Sequence, residues 1–317
     1  MSYVLGVGAA LVDLVLEESD SFVGSLAAEK GGMNFVEADF AESTSAKSSQ
    51  EATRAPGGSA CNTIVALAEL GVSSKMFGKI GTDSWGDYFE TQIKNSGVDA
   101  DLTRSDSATG RVLSVVTPDG QRTMFTCLGA AAELQVSDLN QDLIAKAKAL
   151  YLEGYLAFNE AVFKQLVSWA RESNTPIILD LSSFDVIRAQ RDLLDWVFES
   201  PIAILIANED EAKEFTGLEE EEALTPMLPL ADLVVVKVGA KGVWAQSKGS
   251  EAVFAAGFPV KALDTTGAGD LWAAGFLSKY LAGDSLQNSL SFGNRVGSEI
   301  VQVLGAHLSK SNWAKIK

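Results

Sequence analysis

The chain has 317 residues, 47% hydrophobic and 21% charged, enough for one large buried core with at most a small appendage. A formal charge of −17 with no basic tract to offset it argues against nucleic acid as a partner. No basic-then-apolar leader and no run of bilayer length is present, and Cys61 and Cys127 are too few for a disulfide framework, so a reducing, cytoplasmic setting is expected.

An apolar strand broken by glycines begins at Tyr3 and ends at Asp13. Strands apolar on both faces belong to parallel sheets covered by helices, and open sheets of that kind place ligands past the C-terminal strand ends. Asp13 lies at such a place, although a lone Asp there is also a common turn former. Residues 14–55 are less regular, with a short strand at Met33–Glu37 and a polar helix end or surface loop at Ala41–Gln50. Pro56-Gly57-Gly58-Ser59-Ala60-Cys61-Asn62 then precedes a helical stretch, Thr63–Gly71. Paired glycines let backbone approach a ligand, and Asn62 in the first turn can exchange hydrogen bonds with a polyol. A plain glycine turn capped by Ser59 would explain the same residues. Lys75–Asp83 reads as a strand and turn, and Asp83 caps the amphipathic helix Ser84–Gly97. Gly110–Thr117 and Arg122–Cys127 flank the turn Pro118-Asp119-Gly120-Gln121, a hairpin outside the surrounding strand–helix rhythm. It is assigned to a separate small sheet with residues near 14–18 and 33–37.

From Leu139 the pattern becomes regular α/β, with strands at Ala149–Leu152, Ile177–Asp180, Ile202–Ala207 and Leu233–Val238. Asn208 and Glu211 have capping-box spacing at a helix start. Val234–Val243 is strand, glycine turn, strand, with Gly239 and Gly242 required by the turn and Lys237 and Lys241 beside it. Asp264-Thr265-Thr266-Gly267-Ala268-Gly269-Asp270 precedes the apolar run Leu271–Leu277, read as a buried helix. Its first amides, unobstructed by side chains, form an anion site. Asp270 would repel an anion there, but it makes sense as a base acting on a neutral hydroxyl while the amides hold phosphoryl charge. A helix capped by Asp264 or Thr266 is the simpler reading of the same seven residues. Ser285–Val303 is helical, and Phe292 and Val296 suit either a nucleotide or the core. No Gly-x-x-x-x-Gly-Lys-Ser/Thr occurs, and Gly6-Val7-Gly8-Ala9-Ala10 is followed by Leu11, so neither a Walker nor a dinucleotide site is present. The single histidine, His307, lies in a polar C-terminal stretch and is expected to be exposed.

Taken together, Asp264–Asp270, Gly57-Gly58-x-x-x-Asn62, Gly78-x-x-Gly81-x-Asp83 and Gly239-x-x-Gly242 resemble the signatures of the ribokinase-like (PfkB) family of carbohydrate and nucleoside kinases. The resemblance runs from Tyr3 to about Gly305. It implies an α/β fold: one three-layer α/β/α domain over residues 1–317, with a central mostly parallel sheet. A small β-sheet lid would be inserted from approximately 14–18, 33–37, 109–117 and 122–128. It implies Asp270 as general base, with Gly267, Ala268 and Gly269 forming the anion hole, and Asp13, Gly57, Gly58 and Asn62 on the acceptor. ATP would lie along Asn208, Glu211, Lys237, Gly239, Gly242 and Asn294, with Mg²⁺ held through water near Asn208 and Glu211. Some members place a monovalent cation such as K⁺ at a site equivalent to Asp264 and Thr266 with the carbonyls near residues 300–305. Thr109-Gly110-Arg111, Asp119–Met124 and Tyr151–Tyr155 resemble bacterial proteins grouped with adenosine kinases. That branch implies a nucleoside acceptor, adenosine to AMP, with Phe35, Phe125 and Tyr155 either facing a base or packing in the lid or core. A free sugar or sugar phosphate, such as ribose or fructose, remains the alternative acceptor. A non-catalytic binding protein of the same fold is the alternative of another class. The expected partner is a small molecule, with no membrane, and the chain is expected to be a monomer or homodimer.

Overall fold

Runs of branched apolar residues without a polar face set the centre of the molecule, because such strands are stable only when covered on both sides. The computed structural model describes residues 2–26, 30–119 and 121–317. Its strands are β1 (Val4–Val7), β2 (Leu11–Glu17), β3 (Met33–Phe35), β4 (Thr53–Gly57), β5 (Ser74–Gly81), β6 (Asp99–Ser105) and β7 (Thr109–Val116). They continue as β8 (Arg122–Gly129), β9 (Ala149–Glu153), β10 (Ile177–Asp180), β11 (Ile202–Asn208), β12 (Ala231–Lys237), β13 (Gly242–Ser247) and β14 (Val253–Ala256). Nine of them form one sheet in the order β14-β13-β12-β11-β10-β9-β1-β5-β6. Its pairings are parallel from β12 to β6 and antiparallel only between β12 and β13 and between β13 and β14. On one face Val4, Met76, Tyr151, Ile204 and Val235 pack with Ile64, Leu67 and Phe276 from helices. On the other, Leu5, Leu152, Leu179 and Leu205 pack with Phe163, Leu166 and Leu194.

The remaining strands form a second sheet, β3-β8-β7-β2-β4. The stretch Tyr3–Asp13, expected as one strand, is therefore two strands in two sheets. The chain leaves the large sheet at Gly8, where a Cβ would lie 2.6 Å from the Glu153 carboxyl carbon, and Asp13 falls inside β2. β4 and the helix Asp20–Ser25 were not expected from the sequence. Pro56 masks β4, which pairs only with β2 at the sheet edge. Gly120 of the predicted hairpin turn lies outside the described residues.

Register fixes which side chains share a face. Asp13 pairs with Val112, Val112 with Thr126 and Thr126 with Phe35, while Met124 pairs with Met33. Asp13, Val112, Met124, Thr126, Met33 and Phe35 thus share one face, and Leu14, Leu113 and Phe125 share the other. That second face is closed by Val23 and Ala41 from two short helices, and Phe125 stacks at 4.8 Å on Phe40. Phe125 is therefore core, which decides between the two roles left open for it.

Asp83 caps the helix Ser84–Asn95 through the Gly86 N–H, and its carboxylate also accepts from Thr109 N and Oγ1, tying β7 to that helix. His307 is not exposed: its ring is half-buried and bonded to the Pro56 carbonyl, and burial pulls its pKa below the usual value. Among the described residues no helix is long and apolar enough to cross a membrane.

Candidate active site

Helix Ala268–Tyr280 starts at Gly267, whose φ of 70° suits glycine and whose Cβ would meet the Ala306 Cβ at 2.6 Å. Leu271 to Leu277 are buried and fasten the helix to the large sheet. No side chain caps its first turn, so the reading of Asp264 or Thr266 as a cap gives way. The Ala268 N–H returns to the Thr265 carbonyl at 3.2 Å, and among the described residues nothing takes the Gly269 or Asp270 N–H. Those two are the free donors of the turn. Asp264 instead braces the loop, accepting from Thr266 N at 2.9 Å, Thr266 Oγ1 at 2.6 Å and Gly305 N at 2.8 Å.

Asp270 sits in that turn, partly open to solvent and gripped from the opposite element. Helix Ser59–Glu69 begins after Gly58, φ 101°, and sends Ser59 Oγ to Asp270 Oδ1 at 2.7 Å and Asn62 Nδ2 to Oδ2 at 2.9 Å. Ser59 is thus not the cap of its own helix, and its bond to Asp270 was not foreseen. Burial pushes the Asp270 carboxyl up to about 6, opposed by the Asn62 and Ser59 bonds. Asn62 Oδ1, the other end of the gripping amide, is buried without a hydrogen-bond partner among the described residues. That acceptor, beside a carboxylate, is of the right kind to take a hydrogen bond from a hydroxyl or a water.

Asp13 faces the same space from β2. Burial raises its carboxyl to about 7, the Arg122 guanidinium opposes that, the Asp270 charge adds to it, and among the described residues no hydrogen bond counters it. A Cβ on Gly57 would fall inside the Asp13 carboxyl group, so glycine there keeps the acid in place. Glu153, at the end of β9, accepts from Ala9 N at 2.9 Å and Ala60 N at 2.6 Å, joining the start of β2 to the helix that holds Asp270. Arg122, at the start of β8, bonds Thr266 Oγ1 and so links the second sheet to the anion turn. On the Asp13 face of that sheet, Met33 is 52% and Phe35 71% exposed, and Leu128 (38%) follows in the same register, an apolar surface beside a polar cradle. Tyr155, also exposed, stands near Asp270 and Glu211, and burial of its hydroxyl with those charges raises it to about 12.

The large sheet ends in a second polar group. Asn208 and Glu211 form a complete capping box: Glu211 N donates to Asn208 Oδ1, Asn208 N to Glu211 Oε2, and Asn208 Nδ2 to Glu211 Oε1. Burial and Asp180 push the Glu211 carboxyl upward. Lys237, ending β12, donates to Asp180 Oδ2 at 2.9 Å, and its Nζ would lie 3.1 Å from a Cβ on Gly269. Gly239 (φ 56°) and Gly242 (φ 132°) make the turn between β12 and β13, while Lys241 pairs with Glu220 at the surface. Asn294 is buried, accepting from Trp272 Nε1 at 2.7 Å and donating to the Ala255 and Ala256 carbonyls. Its amide serves the core, which corrects the expected nucleotide contact, since both N–H groups would have to be released first.

The donor sets separate the two expected ions. Glu211 is buried with one lone pair of each oxygen in use, which fits Mg²⁺, an ion that keeps its water, only through that water. Near Thr266, Asp264 already takes three protein donors and Arg122 supplies positive charge, so a K⁺ ion there would rest on the backbone carbonyls near residues 300–305 more than on these side chains. Among the described residues no cluster of three metal-ligating side chains occurs. Asp180, Glu153, Arg122 and Ser59 escaped sequence reasoning. Asp180 and Glu153 were findable, because both end predicted parallel strands at the edge where ligands bind.

A carboxylate beside free amides, a cradle of polar side chains and a polar sheet end are groups of the kind that alcohol phosphorylation uses. A family model described as pfkB family carbohydrate kinase matches residues 31–313. A probable sugar kinase from Rhizobium etli is similar in structure with a TM-score of 0.88 and 30% identity, covering 99% of this chain and 97% of that one. An adenosine kinase from Sinorhizobium meliloti gives 0.87 and 31%, covering 99% and 98%. A 5-dehydro-2-deoxygluconokinase from Bacillus licheniformis is 28% identical over 261 residues, 77% of this chain and 80% of that protein.

Proposed function

We propose, from the premise that the chain belongs to the pfkB family of carbohydrate kinases, that its acceptor is a ribose-containing nucleoside, adenosine, converted to AMP. As a family member it is an ATP-dependent kinase with a ribokinase-like fold. One observation carries the choice of acceptor: the apolar Met33–Phe35–Leu128 surface lies on the same sheet face as Asp13. A nucleoside uses both halves of that face, a base against the apolar part and ribose hydroxyls against Asp13 and Asn62. A free sugar uses only the second.

In this reading Asp270 takes the proton of a primary hydroxyl as that oxygen bonds to the γ-phosphorus of ATP. The bond from that phosphorus to the bridging oxygen breaks, and ADP departs with the electron pair. A base with a pKa of about 6 is ionised at neutral pH yet still basic enough to act. The Gly269 and Asp270 amides, with Arg122 nearby, face the negative charge of the transferring group. Gly239 and Gly242 let backbone run close to phosphates. Mg²⁺ when bound neutralises phosphate charge, and Glu211 and Asn208 would hold it through water. The second sheet acts as a lid that keeps water from competing with the alcohol.

A free sugar or sugar phosphate is the second reading, favoured by the similarity to sugar kinases over most of the chain. The test is ATP consumption with adenosine, other nucleosides, ribose, fructose and fructose phosphates. Adenosine should give the highest kcat/KM. Clear turnover of one sugar with none of any nucleoside would overturn the choice.

A further inference from the structure

β10 and β12 flank β11, so the side chains ending them, Asp180 and Lys237, meet over the end of the strand between. Asp180 is 3% exposed; its Oδ1 accepts from Ser182 N at 3.0 Å and its Oδ2 from Lys237 Nζ at 2.9 Å. The pair is well covered, with side-chain exposures of 13% for Lys237 and 5% for Asp180. Burying two charges in this way is a poor route to stability, since apolar residues of similar volume commonly do as well. The orientation is more telling. The ammonium points past its own sheet to the anion turn, 3.1 Å from where a Cβ of Gly269 would stand.

We propose that Asp180 is a positioning residue for phosphoryl transfer, fixing the Lys237 ammonium against the first turn of helix Ala268–Tyr280, where the transferring phosphoryl group meets it. The inference rests on the reading of Asp270 as base. A long lysine held by one carboxylate pays its rotamer entropy before the substrate arrives, and a fixed cation in a low-dielectric site acts more strongly on developing charge than a mobile one. Burial alone would lower the Lys237 ammonium, but Asp180 and Glu211 keep it charged. The same pair acts on the base with opposite signs: Asp180 raises Asp270 and Lys237 lowers it. Asp13, Glu153, Tyr151, Tyr155 and Cys61 also face Asp270 electrostatically, and Arg122 faces Asp13.

The test is the pH profile of kcat/KM, with kcat and acceptor KM, for Asp180→Asn, Lys237→Met, Lys237→Arg and the double variant Asp180→Asn/Lys237→Met. Both single neutral variants should lose at least about tenfold in kcat with acceptor KM within about twofold of the parent, because Asp13 and Asn62 are untouched. The acid limb, near pH 6 in the parent, should move down in Asp180→Asn and up in Lys237→Met. It should return towards the parent in the double variant, whose kcat stays low. Lys237→Arg should recover part of kcat. If Asp180→Asn, with its lysine unpaired, fails to fold, the double variant and Lys237→Arg carry the test. Unmoved limbs, limbs moving the same way, or a double variant with parental kcat would overturn the proposal. Asp270→Asn separates the two readings: retained turnover there sinks the base assignment, whereas an inactive Asp270→Asn beside unmoved limbs sinks this proposal alone.

Discussion

The two sheets differ in what their second face does. The nine-stranded sheet is buried on both faces, and its strands end in Glu153, Asp180, Asn208 and Lys237, each held by at least one hydrogen bond. The five-stranded sheet is closed on one face only; the other carries Asp13, with no hydrogen bond to it, and the exposed Met33 and Phe35. The rigid sheet thus supplies preset charge, and the small one supplies a surface completed only by what it covers. Asp270 lies at the join, reached by the helix Ser59–Glu69 that follows β4 of the small sheet.

The comparison breaks first at Asp270. If preset charge does the chemistry, Asp270→Asn should lower turnover by at least about 10²-fold with near-parental ATP affinity by calorimetry. Parental turnover would remove the residue from the role. Next comes Gly57→Ala, where the added methyl collides with the Asp13 carboxyl. Overpacking of this kind costs about 1–3 kcal/mol, so acceptor KM should rise roughly tenfold or more while ATP KM stays put. An unchanged acceptor KM would show that Asp13 is not placed by Gly57.

A smaller effect tests the open face directly. Phe35→Ala should raise the nucleoside KM by on the order of tenfold, the value of one stacked ring, and leave kcat unchanged. Any residual turnover of a free sugar should not respond. Equal losses for both acceptors would mean that Phe35 shapes the sheet rather than the base site.

What the sequence disclosed follows from how far each feature reaches along the chain. The glycine turn opening the helix at Gly267–Asp270, the Asp83 cap and the Asn208–Glu211 box are local, formed by residues a few positions apart, and each was readable as local structure. The division of Tyr3–Asp13 depends on Glu153, 144 residues away, and the grip of Ser59 on Asp270 spans 211. Neither leaves a trace in neighbouring residues. Phe125 was left between two roles because a one-residue change of register moves a side chain to the opposite face, and register is not written in composition. Asn294 and His307 went astray for a related reason: their partners, Ala255, Ala256 and Pro56, are backbone carbonyls, which carry no residue signature.

The last prediction concerns what the unsatisfied acids cost. Asp13 and Glu153 are raised to about 7 and Asp270 to about 6, above their ordinary 3.8 to 4.5. Within that window the folded chain keeps protons that the unfolded chain has released, so stability falls as pH rises from about 4 to 7. His307, held neutral by burial, works the other way below 6.5, but it is one group against four, since burial raises Glu211 as well. Acids with lowered values, Asp83 and Asp264, act only below their ordinary 3.8. The melting temperature should therefore decline as pH rises from about 4 to 7 and level off above that, while turnover, which needs ionised Asp270, rises through about pH 6. Asp13→Asn sharpens the contrast, because it removes a penalised charge that no protein hydrogen bond compensates. At pH 8 it should melt a few degrees higher than the parent, with a shallower pH slope and a raised acceptor KM. A lower melting temperature with the parental slope would mean that this carboxylate is satisfied inside the protein, and the small sheet would then be a second closed layer rather than a surface awaiting its ligand.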